Sequence, residues 1–338
     1  MKKSTVTIIV AVCLIVAGIA IAGAAFSMTG FDFKNFDTES YEEVTRTVEG
    51  DFKHIVIATQ IHNIDLAPST DGICKVVGDE NDSIKIEAKI EGDILTVKTV
   101  DTREWYNFIG INLEEAGLTL YLPESEYTSL TAASDTGHIN IPESFAFTGA
   151  SMATATGAIV FRAKIDQELA LASRTGSISV SKQKLSKLDV ENSTGKISIE
   201  NIEASSSVRA EANTGKIELK DIKCNSIDVE TTTGNISLQN VIAEADISIS
   251  ADTGKISLLS CLSDSLNIDT DTGDVKLDAC DANSIDIETD TGDVMGYLLT
   301  PKIFDTDTNT GDIRVPQSTE GGTCKIKTDT GDITITIE

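Results

Sequence analysis

A Thr-Gly dipeptide, followed one residue later by Ile or Val, returns eleven times between about residue 134 and the end of the chain. Its glycines are Gly137, Gly157, Gly176, Gly195, Gly215, Gly234, Gly254, Gly273, Gly292, Gly311 and Gly331, every interval being 19 or 20 residues. A period this short and this constant means coils stacked one on the next, because a single coil cannot bury its own apolar face. The repeat therefore says far more about architecture than about chemistry.

Residues at one offset from the glycine should form one column up the stack. Two places after it stand Ile178, Ile197, Ile217, Ile236, Ile256 and Val275, and four places after it Val180, Ile199, Leu219, Leu238, Leu258 and Leu277, with only Gly296 interrupting. Apolar residues two apart with polar ones between them are the period of a half-buried strand. A second strand precedes each corner, as in Leu188 and Val190 or Ile227 and Val229. The Thr-Gly corner joins the two, glycine suiting a turn of positive φ. The invariant threonine reads as a structural ladder of β-branched side chains. The expected fold is all-β, a parallel β-solenoid (β-helix) of about eleven 19–20-residue coils over residues 126–338.

Ahead of the repeats, Met1-Lys2-Lys3 leads into an uncharged run whose most apolar part is residues 6–26. At 1.5 Å per residue such a run spans roughly 30 Å, a bilayer core. Basic residues before it and acids after it place the N-terminus inside and the rest outside, a single-pass cell-membrane protein with residues 1–26 as transmembrane anchor. A cleaved signal peptide is the rival reading, since Ala20, Ala22, Ala24 and Ala25 offer small residues to a peptidase. Residues 27–45 read as a polar linker. Residues 46–125 alternate in short strands separated by turn pairs such as Asp71-Gly72, a β-rich N-terminal cap for the open end of the solenoid. Within it Trp105, Tyr106, Phe108 and Ile109 read as an apolar plug or a binding loop.

The 338 residues carry 54 acids against 27 bases, a formal charge of −27. That balance excludes nucleic acid as a partner, since its binding rests on Lys and Arg meeting phosphates. Six cysteines in an exported chain invite disulfides. The repeat instead puts Cys261 and Cys280 in an apolar column with Ile202, Ile222, Val241 and Leu299, Cys224 with Ala204 and Ala243, and Cys324 with Ile285 and Phe304. They read as core, although a Cys261–Cys280 bridge between adjacent rungs lies within reach.

Asp51-Phe52-Lys53-His54-Ile55 opening the ectodomain, Leu118-Thr119-Leu120-Tyr121-Leu122-Pro123 before the repeats, and the Thr-Gly-Asp-Ile coils themselves carry a family resemblance. From about residue 45 onward the chain resembles the DUF4097 "putative adhesin" family and is similar to LiaG-like envelope proteins of Gram-positive bacteria. The resemblance implies a β-solenoid on the cell surface and supplies no catalytic residues.

The most concentrated chemistry is a rail of acids at the later corners. Asp274, Asp293, Asp312 and Asp332 follow the glycine directly, and Asp271, Asp290 and Asp329 stand two places before it. Carboxylates ~4.8 Å apart repel by about 1 kcal/mol per pair even in water. Two readings follow: a weak Ca²⁺ site, calcium favouring carboxylate oxygens, or a solvated acidic edge that aids solubility. No other cofactor is implied.

Catalysis finds little support. The three histidines have no metal-ligand spacing, and Gly-x-Ser-x-Gly, phosphate-loop and paired Cys-x-x-Cys motifs are absent. The expected function is a non-enzymatic, membrane-anchored adhesin or envelope-interaction module, its partner a cell-wall glycan or a surface protein. An envelope-stress accessory acting on a membrane partner is the alternative, and a polysaccharide-active β-helix enzyme a remoter one. A homo-oligomer through the C-terminal edge is a further expectation, the last strand being expected to lie bare.

Overall fold

The computed structural model describes residues 41–102 and 115–337. The anchor, most of the linker, Glu338 and the cluster of Trp105, Tyr106, Phe108 and Ile109 lie outside the described residues. Among the described residues every element is a strand, and the strands join in one continuous sheet. Successive coils pair parallel and in register, Ile178 with Ile197, Ile197 with Ile217, and Ile217 with Ile236. Equal offsets from the glycine therefore do stack, and Ile197, Ile217 and Ile256 are wholly buried. The architecture is an all-β parallel β-solenoid, on the order of ten turns.

The corner explains the glycine more strictly than φ alone. The Gly215 amide donates to the Thr233 carbonyl at 2.9 Å, so the ladder runs unbroken through the turn. A Cβ on Gly215 would lie 1.9 Å from the Gly195 carbonyl oxygen, and its φ is +152°. At Gly273 and Gly292, which lack a positive φ, the added atom would still come within 1.9 and 2.0 Å of the preceding carbonyl. Close backbone approach is thus the common requirement.

The threonine before the glycine is exposed in all eleven coils, so that ladder runs along the surface. The buried polar column lies two places earlier. There Thr154 donates to the Gly137 carbonyl at 3.1 Å, Asn192 to Gly176 at 2.8 Å and Thr328 to Gly292 at 3.2 Å. These donors pair inward glycine carbonyls, whose burial unpaired is costly. Elsewhere in the column Ala212 and Ala251 offer no donor, and the Thr231, Thr270 and Thr289 hydroxyls have no hydrogen-bond partner.

A second corner falls six places after the glycine. Lys182, Asn201, Asp221, Asn240, Ser260 and Ala279 hold φ between 53° and 58° on six successive rungs. The Gly292 rung lacks this extra residue. Its register slips so that Leu298, fully buried, pairs with Cys280, and Leu299, placed in that column by counting, is 40% exposed instead.

Both ends depart from chain order. His54–Thr59 and Asn63–Pro68 form a parallel rung directly against the Gly137 rung, and Ile94–Asp101 with Gly117–Leu122 form another outside it. The stack thus takes in strands from 46–125, and three further strands, Glu42–Val48, Cys74–Glu80 and Ile84–Glu91, continue the sheet in antiparallel sense. Leu118, Leu120 and Leu122 are fully buried there, and the Tyr127 hydroxyl donates to the Pro123 carbonyl at 2.9 Å.

At the other end the Gly331 rung, Gly322–Thr330 with Ile333–Ile337, lies between the Gly292 rung and the Gly311 rung. The expected linear order of the last coils is therefore corrected. The outermost rung is Lys302–Thr310 with Ile313–Arg314, not the last in sequence. Adjacent glycines permit the insertion: a Cβ on Gly321 would meet the Pro301 carbonyl oxygen at 1.8 Å, and one on Gly322 that of Asn283 at 2.1 Å.

Candidate functional site

The acidic rail is built at the Thr-Gly corner, where the residue after the glycine has an amide that the ladder skips. The carboxylate one rung below takes it. Asp293 N–H donates to Asp274 Oδ1 at 3.3 Å, Asp332 N–H to Asp293 Oδ1 at 2.8 Å, and Asp312 N–H to Asp332 Oδ1 at 2.8 Å. The spatial order is therefore Asp274, Asp293, Asp332, Asp312. Asn235 does the same for Lys255 N–H at 2.9 Å, and His138 Nδ1 for Ala158 N–H at 2.9 Å. Asp, Asn and His thus serve as side-chain acceptors at this offset, while Ala158, Lys196, Lys216 and Lys255 hold it without offering one.

Asp271, Asp290 and Asp329 stack as a parallel exposed column, and Asn309 caps it by donating to Asp329 Oδ1 at 3.0 Å. Lys255 approaches Asp274 at 3.9 Å, and Arg314 donates to Asp312 Oδ2 at 2.6 Å. Beside these, burial and then the charges of Glu288, Asp271 and Asp290 raise the pKa of Asp269. Among the described residues no three acids, histidines or cysteines converge as a metal-ligand set.

Farther down the stack cations are set singly among acids. Arg209 lies 3.6 Å from Asp189, 3.2 Å from Glu191, 2.5 Å from Glu211 and 3.7 Å from Asp228. Such exposed pairs add little stability one by one, and a single guanidinium shared among four carboxylates offsets only part of their mutual repulsion.

The second corner builds a different surface. A groove of about 870 Å³ runs across five rungs, lined by Lys164, Lys182, Lys184, Lys223, Asn201 and Ile242 among others. Lys184 pairs with Glu203 at 3.2 Å, and Ile242 is 42% exposed at one end. A shorter concavity of about 470 Å³ continues it past Ala204 and Asn225. The αL residue recurs on every rung from Lys182 to Ala279, and four of these corners, at Lys182, Asn201, Asp221 and Asn240, line the groove. Counting offsets did not reveal this trough, although Asn201, Asp221 and Asn240 six places after the glycine are a readable sign of αL backbone.

The cysteines sit where the columns put them. Cys74, Cys224, Cys261, Cys280 and Cys324 are buried and unbridged. Burial pushes the Cys224 and Cys324 thiols up to about 12. His62 is wholly buried, its Nε2 2.7 Å from the Asp79 carbonyl oxygen and its Nδ1 without a partner. Desolvation lowers its pKa, opposed in part by the carbonyl and by Asp79 and Glu80.

With this geometry in place, a family model described as "Toastrack DUF4097" matches residues 52–259 and, again, 217–338. Among solved structures the chain is similar to a "putative adhesin" of Bacteroides fragilis NCTC 9343, at 15% identity and a TM-score of 0.39 over 77% of this chain and 97% of that one. It is similar also to a "putative lipid binding protein" of Parabacteroides distasonis ATCC 8503, at 18% identity and a TM-score of 0.45, with 77% and 97% covered. A "putative adhesin" of the same organism follows at 9% identity and a TM-score of 0.34, with 86% and 98% covered. No curated protein matches the chain.

Proposed function

We propose, from the premise that this chain belongs to the Toastrack DUF4097 family, that it is a non-catalytic binding module which lays an extended polymer along the second-corner groove. The carrying observation is the groove itself, which crosses five rungs with a Lys or Asn side chain on each and Ile165, Ile202 and Ile242 on three of them. A rung spacing of ~4.8 Å gives a length near 20 Å, which suits several residues of an extended glycan or peptide rather than one small molecule. The corners around it are short and uniform, with no inserted loops to wall off a reacting bond.

In the same reading the apolar run at residues 6–26 holds the module at a membrane, with the solenoid outside. The antiparallel strands Glu42–Val48, Cys74–Glu80 and Ile84–Glu91 close the end that follows the anchor in sequence. Their alternating charges, Lys85, Glu87, Lys89 and Glu91, are those of a strand protected from edge pairing.

The test is binding of the purified chain to a panel of cell-wall glycans and surface proteins, with turnover of each glycan measured alongside. Saturable binding without turnover, lost when Lys182, Lys184 and Lys223 are changed to Glu, supports the reading. Binding indifferent to those changes, or cleavage of a glycan, removes it.

A further inference from the structure

The Gly311 rung is the one place where the parallel stack stops without cover among the described residues. Lys302–Thr310 pairs only with Gly322–Thr330, and Ile313–Arg314 only with Ile333–Ile337. Its free side offers a row of unpaired backbone groups, the usual template for an added strand. Side chains tell the same story. Ile313 belongs to the column in which Ile333 is fully buried, yet it is 42% exposed, and Phe304 and Val315 are only partly covered.

The charges on this edge choose among occupants. Asp305 and Asp307 point outward, with no cation at ion-pair distance among the described residues, and Asp312 stands at the corner. On its covered side the same rung faces Lys325 and Lys327, in register with Asp305 and Asp307. The chain thus contains the kind of strand that fits these columns: Lys, an inward apolar residue, Lys. One further group awaits a partner. Each lower aspartate of the rail accepts an amide from the rung above it, while Asp312 Oδ2 meets Arg314 and its Oδ1 has no donor among the described residues. A second copy meeting this edge with its own would set Asp305 and Asp307 against like charges, which disfavours the homo-oligomer expected at this end.

We propose that the open edge of the 302–314 rung is a docking surface for a β-strand of a partner protein, one that presents lysine or arginine at alternate outward positions flanking an inward apolar residue. The strand adds parallel to the stack, its backbone completing the ladder, its cations meeting Asp305 and Asp307, and one of its amides meeting Asp312 Oδ1.

The probe is a labelled synthetic peptide with the sequence of residues 322–330 carrying Cys324→Ser, titrated into the full chain in mild detergent at low salt. Saturable one-to-one binding is expected, with exchange protection of residues 302–314, weakened about tenfold or more by Asp305→Lys with Asp307→Lys. Both substituted side chains are solvent-facing, so unchanged circular dichroism verifies that the variant is folded. No binding up to millimolar peptide overturns the proposal. So does binding that the variant leaves intact, protection that falls on 284–298 through displacement of the inner strand, or sedimentation of the chain alone as a dimer that the variant dissolves.

Discussion

Changing Gly215 to alanine tests the corner most directly. The added Cβ would sit 1.9 Å from the Gly195 carbonyl oxygen, where contact requires roughly 3.4 Å, so the two rungs must part by about 1.5 Å locally. They are held by in-register bonds through the corner, Gly195 N–H to Thr214 O at 2.9 Å and Ile197 N–H to Lys216 O at 2.9 Å, and by the wholly buried pair Ile197 and Ile217. Steric insertion into a packed site costs about 1–3 kcal/mol, and a side chain at a φ of +152° adds a further ~1–3 kcal/mol. A loss of about 3 kcal/mol or more is expected.

Gly149→Ala is the internal control: its nearest neighbour would be the Glu168 carbonyl oxygen at 3.5 Å, an ordinary contact, and its φ is not positive. There the substitution should be neutral or stabilising by up to ~1 kcal/mol. Urea denaturation followed by far-UV circular dichroism reads the two, with hydrogen exchange on the 195–236 rungs, because a stack of coils can lose cooperativity. If Gly215→Ala and Gly149→Ala move the midpoint alike, close backbone approach is not why the glycines are there.

Three further outcomes follow from particular contacts. Asp293→Asn keeps an oxygen for the Asp332 amide and removes a like charge, so stability should hold or rise slightly, whereas Asp293→Ala should cost about 1 kcal/mol by thermal melting. Ala279→Gly relieves an αL residue at φ 53° and should stabilise by about 0.5–1 kcal/mol after the cost of glycine's freedom in the unfolded chain, measured the same way. His62 is held neutral by burial, so the unfolded chain binds a proton more readily, and stability should fall as pH drops through and below 6.5. His62→Gln, retaining a donor for the Asp79 carbonyl, should flatten that slope in urea titrations at pH 7 and pH 5; an unchanged slope assigns it to other groups.

What the sequence made legible is what the period fixes. An offset from the glycine determines the column, and so the inward set around Ile217 and Leu219, the small-residue column of Cys224 and Ala243, and the Cys324 pairing with Ile285 and Phe304 all follow. Offsets fail wherever a rung changes length, which is why Leu298 rather than Leu299 is inside. Nor do they tell an acceptor from a charge: the rail was visible as carboxylates, while its use of Asp274, Asp293 and Asp332 to satisfy amides needed the neighbouring backbone in place. The groove was hidden because counting offsets assigns residues to columns and says nothing of the shape of the surface at the second corner, even where Asn201, Asp221 and Asn240 mark αL backbone.

The order of the last rungs was hidden for a different reason: a repeat fixes what lies within a rung and leaves open which rung is its neighbour. Electrostatics decides between the two stackings. In chain order Asp286 would lie on Asp305 and Glu288 on Asp307, two repulsions of about 1 kcal/mol each at water's dielectric. With the Gly331 rung inserted, Lys325 stands between Asp286 and Asp305, and Lys327 between Glu288 and Asp307. Lys325 reaches Asp286 at 3.1 Å. Each column then has a lysine interposed between two acids, which removes a like-charge contact of about 1 kcal/mol before salt screens it. Chain order would have left Lys325 and Lys327 on the final edge, where lysine is the customary guard against strand addition. The observed order spends those lysines inside the stack, and an acidic, unguarded edge at Asp305 and Asp307 is the direct result.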